Sequence, residues 1–429
     1  MSNLEEPMVS PGARRYAMVI LAVVYMFNFI DRQILAILLP SIKAEFGVGD
    51  AYLGFLTGTA FAMFYVTLGV PIAQYADRCN RRNLIAAAVA LWSGMTAISG
   101  FATNLVYLTL ARIGVGVGEA GCSPPAHSMI ADYFPPEQRS AAMGFYTVGI
   151  SAGIMLAYLA GGWAVENLGW RATFFVVGVP GLLLAIVVRF TVVEPQRGAS
   201  EDRVASDNRP RLVEVWRFLK ARRSFFHMAA AAGLSSLVGY SVIGFLPSFV
   251  DRSFSTGMVV VLVWLGLILG ISGGAGFFLG GYVADRLGRS GQRRALTFIA
   301  GVTLLTMVLM SFMFLASTWQ MVLLFFVVPA LTNNVYLAPV LSLTQSLVSL
   351  RMRATASALV LLIINVIGLA IGPWLTGALS DFLRPGFGNE SIRYSLLIIN
   401  CLILPWAAFH YFRAGKSIDA DLSRASEAD

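Results

Sequence analysis

The sequence predicts an all-α membrane protein with twelve transmembrane helices in two pseudo-symmetric six-helix bundles, with both termini in the cytoplasm. The first observation behind this prediction is composition. Of the 429 residues, 57% are hydrophobic and only 13% are charged, and the mean hydropathy is +0.73. Soluble domains carry about 25% charged residues. Most of this chain therefore needs apolar surroundings, and a lipid bilayer supplies them.

The second observation is the number of apolar segments. A helix needs about 20 predominantly apolar residues to cross a bilayer. Segments of this kind are predicted at 16–39, 52–73, 84–101, 106–128, 142–164, 172–192, 227–249, 260–282, 295–315, 320–344, 355–379 and 394–413. The predicted domains are a first bundle at 1–193, a cytoplasmic linker at 194–224, a second bundle at 225–413 and a tail at 414–429.

The third observation is the distribution of positive charge. With the N-terminus inside, 24 of the 31 Lys and Arg residues fall in cytoplasmic segments, five in outer loops and two within spans. The positive-inside rule therefore favours cytoplasmic termini. The net charge of +8 is assigned to these loops, and no nucleic-acid partner is expected, because no nucleic-acid motif is present. The distant Cys79, Cys122 and Cys401 predict neither a disulfide framework nor a metal site.

The segment 194–224 is the one long polar stretch. Its first part is typical of a linker. In its second part, Val215, Trp216 and Leu219 follow Leu212 at helical spacing between basic residues, which predicts an amphipathic helix on the inner leaflet. A solvated loop is the alternative.

Internal repetition supports two halves. The loop Ala73–Arg82 is similar to Gly281–Arg289, and their aspartates, Asp77 and Asp285, are 208 residues apart. Arg139 recurs as Arg353, each just before a span of the same rank in its half. A second copy of the same loop at the same topological position indicates parallel repeats.

These loops resemble the signature of the major facilitator superfamily, G-x-L-A-D-R-x-G-R-R, although the first copy has Ala73 and Asn80 in place of glycines. Within that superfamily, the motifs Asn28–Arg32, Ala76–Arg82 and Arg112–Ala120 resemble the Spinster family of sphingolipid and lysolipid transporters. Related organic-anion transporters also carry the motif of span 1. The resemblance implies alternating access between two bundles, a central cavity and coupling to protons.

Four ionisable residues lie within apolar spans: Asp31, Arg32, Arg112 and Glu119. Charges inside a membrane are costly and usually functional. Asp31 and Arg112 are predicted at similar depth, where they could pair, and Glu119 lies nearly two turns from Arg112 on the same helix face. We hypothesise that the two acids bind protons in turn while Arg112 controls them or holds an anionic headgroup. A static charge network is the alternative, and Arg32 is assigned another partner or the outer headgroups.

Further polar residues are candidates for the cavity. His127 follows Pro124 and Pro125, which are expected to loosen span 4. It is a candidate proton relay, with a structural hydrogen bond as the alternative. The candidates for substrate contact are Asn28, Tyr65, Tyr146, Tyr240, Asn333, Asn334 and Asn365. Helix–helix contact explains Asn333, Asn334 and Asn365 equally well.

The resemblance also implies a cytoplasmic gate that holds the inner side shut. Its candidates are Asp77, Arg78, Arg81, Arg139, Asp285, Arg286, Arg289 and Arg353. Simple positive-inside charge explains the arginines but not an aspartate in both copies. Span 5 departs from the superfamily's antiporter motif at Ala157 and Tyr158, whereas span 11 contains Gly368, Gly372 and Pro373, so bending is expected in span 11.

Together these features predict a proton-coupled secondary transporter for an amphipathic, lipid-like substrate such as a lysolipid or sphingoid lipid. A proton-coupled symporter of a small organic anion is the alternative. The expected partners are the bilayer, the substrate and protons, with the proton gradient as energy source and no cofactor or metal. The protein is expected to be a monomer in a bacterial inner membrane. It is not expected to be an enzyme, because the sequence contains no HExxH motif and no metal-ligand spacing.

Overall fold

A computed structural model of the chain describes residues 9–76, 78–198, 212–254, 257–288, 291–349 and 352–426. Within these ranges the structure is helical and contains no strand, which confirms the all-α prediction. The α-helices are α1 (Pro11–Phe46), α2 (Asp50–Gly54), α3 (Ala60–Ala76), α4 (Arg81–Ser99), α5 (Leu105–Glu119), α6 (Ser123–Tyr133), α7 (Pro136–Thr191), α8 (Leu212–Lys220), α9 (Arg223–Ser253), α10 (Met258–Gly288), α11 (Gln292–Leu315), α12 (Trp319–Thr332), α13 (Leu337–Ser346), α14 (Arg353–Ile363), α15 (Gly372–Phe387) and α16 (Ser391–Ser426). Two π-helical turns, Phe55–Thr59 and Ile364–Ile371, join α2 to α3 and α14 to α15, and a 3₁₀ turn, Gly388–Glu390, precedes α16.

Nine segments of the described chain are long and apolar enough to cross a membrane. Two of them are too long for a single crossing of a core that is about 30 Å thick. Ala141–Thr191 has 51 residues, and Gly169 interrupts it with φ +80°, a backbone conformation that favours glycine. Thr355–Arg424 has 70 residues and contains the 3₁₀ turn, whose first residue, Gly388, has a positive φ.

Polar side chains define where several helices begin. Asn80 caps α4 by accepting a hydrogen bond from the amide of Asn83 at 2.9 Å, and Asn104 caps α5 in the same way. An N-cap side chain of this kind stabilises a helix by about 1 kcal/mol. The asparagine that replaces a signature glycine in the first repeat loop therefore has a local structural reason.

Two spans are broken in the middle. Helix α5 ends at Glu119, and α6 begins at Ser123 with proline in its first turn, which confirms the predicted loosening at Pro124 and Pro125. A second break, between α12 and α13, contains Asn333 and Asn334. A π-helical turn, Ile364–Ile371, lies in span 11, where it contains Gly368 and precedes Pro373. Bending of this span stays a prediction.

The chain forms two compact units, which we describe separately. Unit 1 comprises Met1–Leu38 and Met63–Ser206, and unit 2 comprises Leu39–Ala62 and Asp207–Asp429. The segment 39–62 precedes the predicted linker in sequence, yet it packs within unit 2, because α2 lies against α15 there. The division into two six-helix bundles stays a prediction.

The predicted amphipathic helix forms as α8. Its Val215 and Leu219 are fully buried in the apolar core of unit 2 with Phe225 and Met228, whereas Trp216 is exposed. The helix is therefore anchored to unit 2 by one apolar face. The first part of the linker, 199–211, lies outside the described residues.

Candidate functional site

The buried charges of unit 1 centre on Asp31 in α1. Its side chain is fully buried, and neither carboxyl oxygen has a hydrogen-bond partner among the residues that the structure describes. Trp92 and Thr96 of α4 lie beside this carboxyl, and the indole nitrogen and hydroxyl of these two residues are likewise buried without a partner in the described chain. Buried polar atoms without partners are rare in folded proteins and mark places that need an explanation.

Glu119 has a partner that the sequence analysis did not assign. The Nε atom of Arg32 donates to Oε2 of Glu119 at 2.5 Å, and the glutamate side chain is fully buried. The guanidinium of Arg32 also lies over the rings of Tyr65, at 4.8 Å, and Phe29, at 5.2 Å. Of the two alternatives for Arg32, another partner or the outer headgroups, the structure therefore favours another partner. Because it lies about 100° around the helix from Asp31, it contacts a different acid.

Arg112 is buried between the two acids, but it does not bind the Asp31 carboxylate. Its Nη1 atom donates to the main-chain oxygen of Asp31 at 3.5 Å. The predicted ion pair is thus replaced by a contact with the helix backbone, since the Asp31 carboxyl lies beside α4. Arg112 still interacts electrostatically with Asp31, Glu119 and Arg32, so the four charges form one cluster in unit 1. The proposed roles of these residues stay predictions.

The glycines of span 4 explain how α5 comes this close to α4. A Cβ atom on Gly118 would lie 2.7 Å from the backbone nitrogen of Trp92, and one on Gly114 would lie 2.6 Å from Cγ of Met95. The four-residue spacing of two small residues lets helix backbones approach within a membrane. The motif Arg112–Ala120 therefore brings Glu119 and Arg112 next to the α4 side chains that surround Asp31.

The other unit 1 candidates lie close to this cluster. Asn28 is buried, and its side chain lies beside the Glu119 carboxylate. Tyr146 is buried and stacks on Tyr25 with ring centres 4.2 Å apart. His127 meets the edge of Tyr146 at 5.4 Å. His127 and Tyr146 thus pack against each other, and a relay role for His127 stays a prediction.

The remaining cavity candidates belong to unit 2. Tyr240, Asn333, Asn334 and Asn365 are each half-buried. Asn365 donates to the backbone oxygen of Leu361 at 2.8 Å, which favours the structural interpretation for that residue. Asn333 lies against a small cavity of about 20 Å³, which has room for about one water molecule.

The predicted gate residues have mixed positions. Arg81 is buried within unit 1, where it forms ion pairs with Asp132 and Glu194. The Nε atom of Arg139 donates to the backbone oxygens of Ala131 and Phe134, both at 3.1 Å, at the end of α6. Both arginines therefore stabilise their own unit, and a gate role stays a prediction. Arg78, Arg286 and Arg353 are exposed, Asp77 and Arg289 lie outside the described residues, and the side chain of Asp285 is also outside them.

A second polar network, in unit 2, was missed by the sequence analysis. Asp50 is fully buried at the start of α2. It accepts two hydrogen bonds from the guanidinium of Arg252, both at 2.7 Å, one from Lys43 at 2.5 Å and one from Ser380 at 2.7 Å. The Asp381 carboxylate accepts from the amides of Asp50 and Ala51, both at 2.8 Å. One feature of the sequence could have indicated this network: Lys43 and Arg252 are two of only five cations assigned to the outer loops.

Buried charges within apolar helices are typical of functional membrane proteins, and comparisons with known proteins identify the family. The model of the Major Facilitator Superfamily matches residues 21–373, and the chain belongs to that superfamily of transporters.

Similar proteins share most of this chain. An MFS-type efflux pump of Mycolicibacterium smegmatis is 31% identical over 96% of this chain and 95% of its own. Human protein spinster homolog 1 is 30% identical over 91% and 78%, and a probable L-galactonate transporter of Escherichia coli is 27% identical over 67% and 66%. The crystal structure of a bacterial homologue of the human lysosomal transporter Spinster, inward-facing and unoccupied, has a TM-score of 0.86 at 29% identity and covers 96% of this chain and 99% of its own. The predicted resemblance to the Spinster branch is confirmed.

Proposed function

We propose that this protein is a proton-coupled secondary transporter that moves an amphipathic, lipid-like substrate across a bacterial inner membrane by alternating access. The proposal includes twelve crossings with both termini in the cytoplasm. The interruptions at Gly169 and Gly388–Glu390 support this count, because each divides one overlong apolar segment into two helices that are long enough to cross a membrane. The 19-residue helix α4 supplies a further crossing beyond the nine apolar segments.

The contrast between Asp31 and Glu119 carries the proton-coupling part of the proposal. Glu119 is held by Arg32, whereas the buried Asp31 carboxyl has no ion-pair partner in the described chain and lies beside the neutral side chains of Trp92 and Thr96. An ionised carboxylate without a partner is costly in a medium of low dielectric, and the neutral acid costs far less. A movement that transfers Arg32 or Arg112 from one acid to the other would exchange their proton affinities. The same cluster therefore has the parts needed to take up and release a proton.

We expect Asp31→Asn and Glu119→Gln each to abolish proton-driven transport while retaining exchange. In proteoliposomes, a gradient of one pH unit and one coupled proton would drive a substrate gradient of about tenfold. In each variant the substrate concentrations on the two sides are expected to be about equal, because the amide cannot bind the coupled proton. Substrate counterflow, which needs no net proton movement, is expected to continue.

The matched control is Glu166→Gln, which changes an exposed carboxyl of unit 1 and is expected to leave the driven gradient unchanged. Normal pH dependence in both site variants would refute the coupling role and favour the static charge network.

The substrate class is proposed from the Spinster relatives and from the apolar and aromatic character of the spans. The second candidate, a small organic anion, is favoured by the galactonate relative and by the buried guanidinium of Arg112. We expect a lysolipid, but not galactonate or another soluble monocarboxylate, to support counterflow. The measurement is exchange of labelled substrate in proteoliposomes over a panel of both classes. Exchange of the soluble acid alone would overturn the lipid assignment and leave proton coupling intact.

A further inference from the structure

Two of the three histidines of the chain meet in unit 2, far in sequence from the charge cluster. His227 lies in the first turns of α9 and His410 in α16, and their Nδ1 atoms are 2.9 Å apart. His410 is buried and His227 is half-buried. A contact of this length between two ring nitrogens requires that one of them donates and the other accepts.

This arrangement allows the pair to bind an anion once it has taken up a proton. In the neutral pair, one Nδ1–H is used in the contact, and the accepting ring carries its hydrogen on Nε2. One further proton gives an imidazolium that keeps the Nδ1 contact and leaves N–H donors at both Nε2 atoms. An anion bound beside the pair favours this proton, because an opposite charge stabilises the imidazolium. A single proton thus converts the pair from a neutral contact into a cation with two donors.

The pair lies where an aromatic band meets a basic band. Three exposed aromatic rings surround the histidines: Phe226 lies 5.6 Å from His227, and Trp406 and Phe409 lie 5.9 and 5.7 Å from His410. Exposed aromatic side chains of this kind are typical of the level of lipid headgroups.

The basic band begins within one turn of the pair. His227 is four residues from the start of α9, about 6 Å along the helix, where Arg222 and Arg223 stand. Arg413, about one turn beyond His410 on α16, is exposed and acts electrostatically on His227. Clusters of arginine at this level bind anionic lipid headgroups.

The charged groups on the helices packed around the pair favour an anion at this position. Among the described residues, the charge that acts on the pair from the helices packed around it is Arg413. The Asp421 carboxylate of α16 is held by the amide and hydroxyl of Ser224, at 2.9 and 2.7 Å. Glu214 of α8 is exposed, and α11 contributes Arg293 and Arg294 at its start. The local charge is therefore positive, and a proton on the pair increases it.

We propose that His227, His410 and Arg413 bind the phosphate group of an anionic phospholipid at the membrane surface, and that binding tightens as the pH falls. The site is separate from the transported substrate and from Asp31. The exposed aromatic rings contact the acyl region of the bound lipid, while the imidazolium and guanidinium groups bind its phosphate.

The test is phosphatidylglycerol binding to the full-length protein. Binding would be measured by native mass spectrometry or by fluorescence, with phosphatidylcholine as the zwitterionic reference, at about pH 5.5 and about pH 8. One added charge near the surface contributes about 1 kcal/mol, so phosphatidylglycerol is expected to bind about fivefold more tightly at the lower pH. The double variant His227→Gln and His410→Gln is expected to lose this pH dependence, and Arg413→Gln to weaken binding at both pH values.

His127→Gln, which changes the histidine of unit 1, is the matched control and is expected to bind as the parent does. Thermal unfolding in phosphatidylcholine at the higher pH would verify that each variant is folded. Equal binding of both lipids, or unchanged pH dependence in the double variant, would overturn the proposal. Competition by inorganic phosphate at the same concentration as lipid would identify a site for free phosphate instead of a lipid, which also overturns it.

Discussion

Replacing Arg32 with alanine is expected to cost the protein about 3–5 kcal/mol of unfolding free energy, the range observed when one partner of a buried ion pair is removed. The physical reason is the fate of Glu119, which is fully buried and loses the guanidinium that lies 2.5 Å from its Oε2 atom. Thermal or denaturant unfolding of the purified full-length chain in detergent would measure the effect. Arg189→Ala, which removes an exposed arginine of the same unit, is expected to change stability by less than about 0.5 kcal/mol.

The double variant Arg32→Ala and Glu119→Gln distinguishes a charge penalty from lost packing. Because the second change neutralises the stranded carboxylate, most of the lost stability is expected to return. A double variant as unstable as Arg32→Ala alone would show that the packing of Arg32 on Tyr65 and Phe29 matters more than the ion pair.

The double variant also separates the two functional hypotheses for the cluster. A static network predicts a stable double variant that transports with normal pH dependence. Proton coupling predicts a stable double variant that still exchanges substrate but does not follow the proton gradient. Stability and coupling are thus measured on one protein, and only the second readout responds to proton transfer.

Helical rise and periodicity were enough to predict that three of the charged residues lie near one another, whereas their functional roles stay predictions. Asp31, Arg112 and Glu119 are buried in one cluster because helical rise and periodicity determine the level and face of each residue. The same arithmetic could not identify the partners, since it places Cα atoms and not the ends of long side chains. Arg32 reaches Glu119, and Asp31 turns toward Trp92 and Thr96, because α4 packs against α5 through the glycine-rich face. That packing is a tertiary feature that no local pattern in α1 contains.

The unit 2 network shows the same limit over a longer range. Lys43 and Arg252 were predicted to lie in outer loops by counting charges, and that count does not identify their partner. Asp50 and Arg252 are 202 residues apart in sequence, so their contact depends entirely on how segment 39–62 packs within unit 2. The packing of this segment also requires a close approach of α2 to α15, since a Cβ atom on Gly54 would collide with the backbone oxygen of Pro373.

Asp50→Asn is expected to be as destabilising as the loss of Arg32, at about 3–5 kcal/mol. Asparagine keeps the shape of the side chain, but it leaves Lys43 and Arg252, two largely buried cations, without the carboxylate that both contact. One charge therefore holds two cations together, and its removal leaves them to repel each other. Unfolding of the full-length chain in detergent is again the measurement. Asp251→Asn, an exposed carboxyl one residue from Arg252, is the matched control and is expected to have little effect.

Hydrogen exchange gives the local form of the same prediction. If the network fastens segment 39–62 within unit 2, Asp50→Asn should increase amide exchange in α2 and in the π-helical turn Phe55–Thr59, while α4 in unit 1 keeps its protection. Asp381→Asn should weaken the same segment less, because it removes only the capping charge at the start of α2, a contribution of about 1 kcal/mol. Added salt should not reproduce either effect, since ions in solution screen buried pairs far less than exposed ones. Unchanged exchange in α2 of Asp50→Asn would mean that apolar contacts between α2 and α15 hold the segment without the charges.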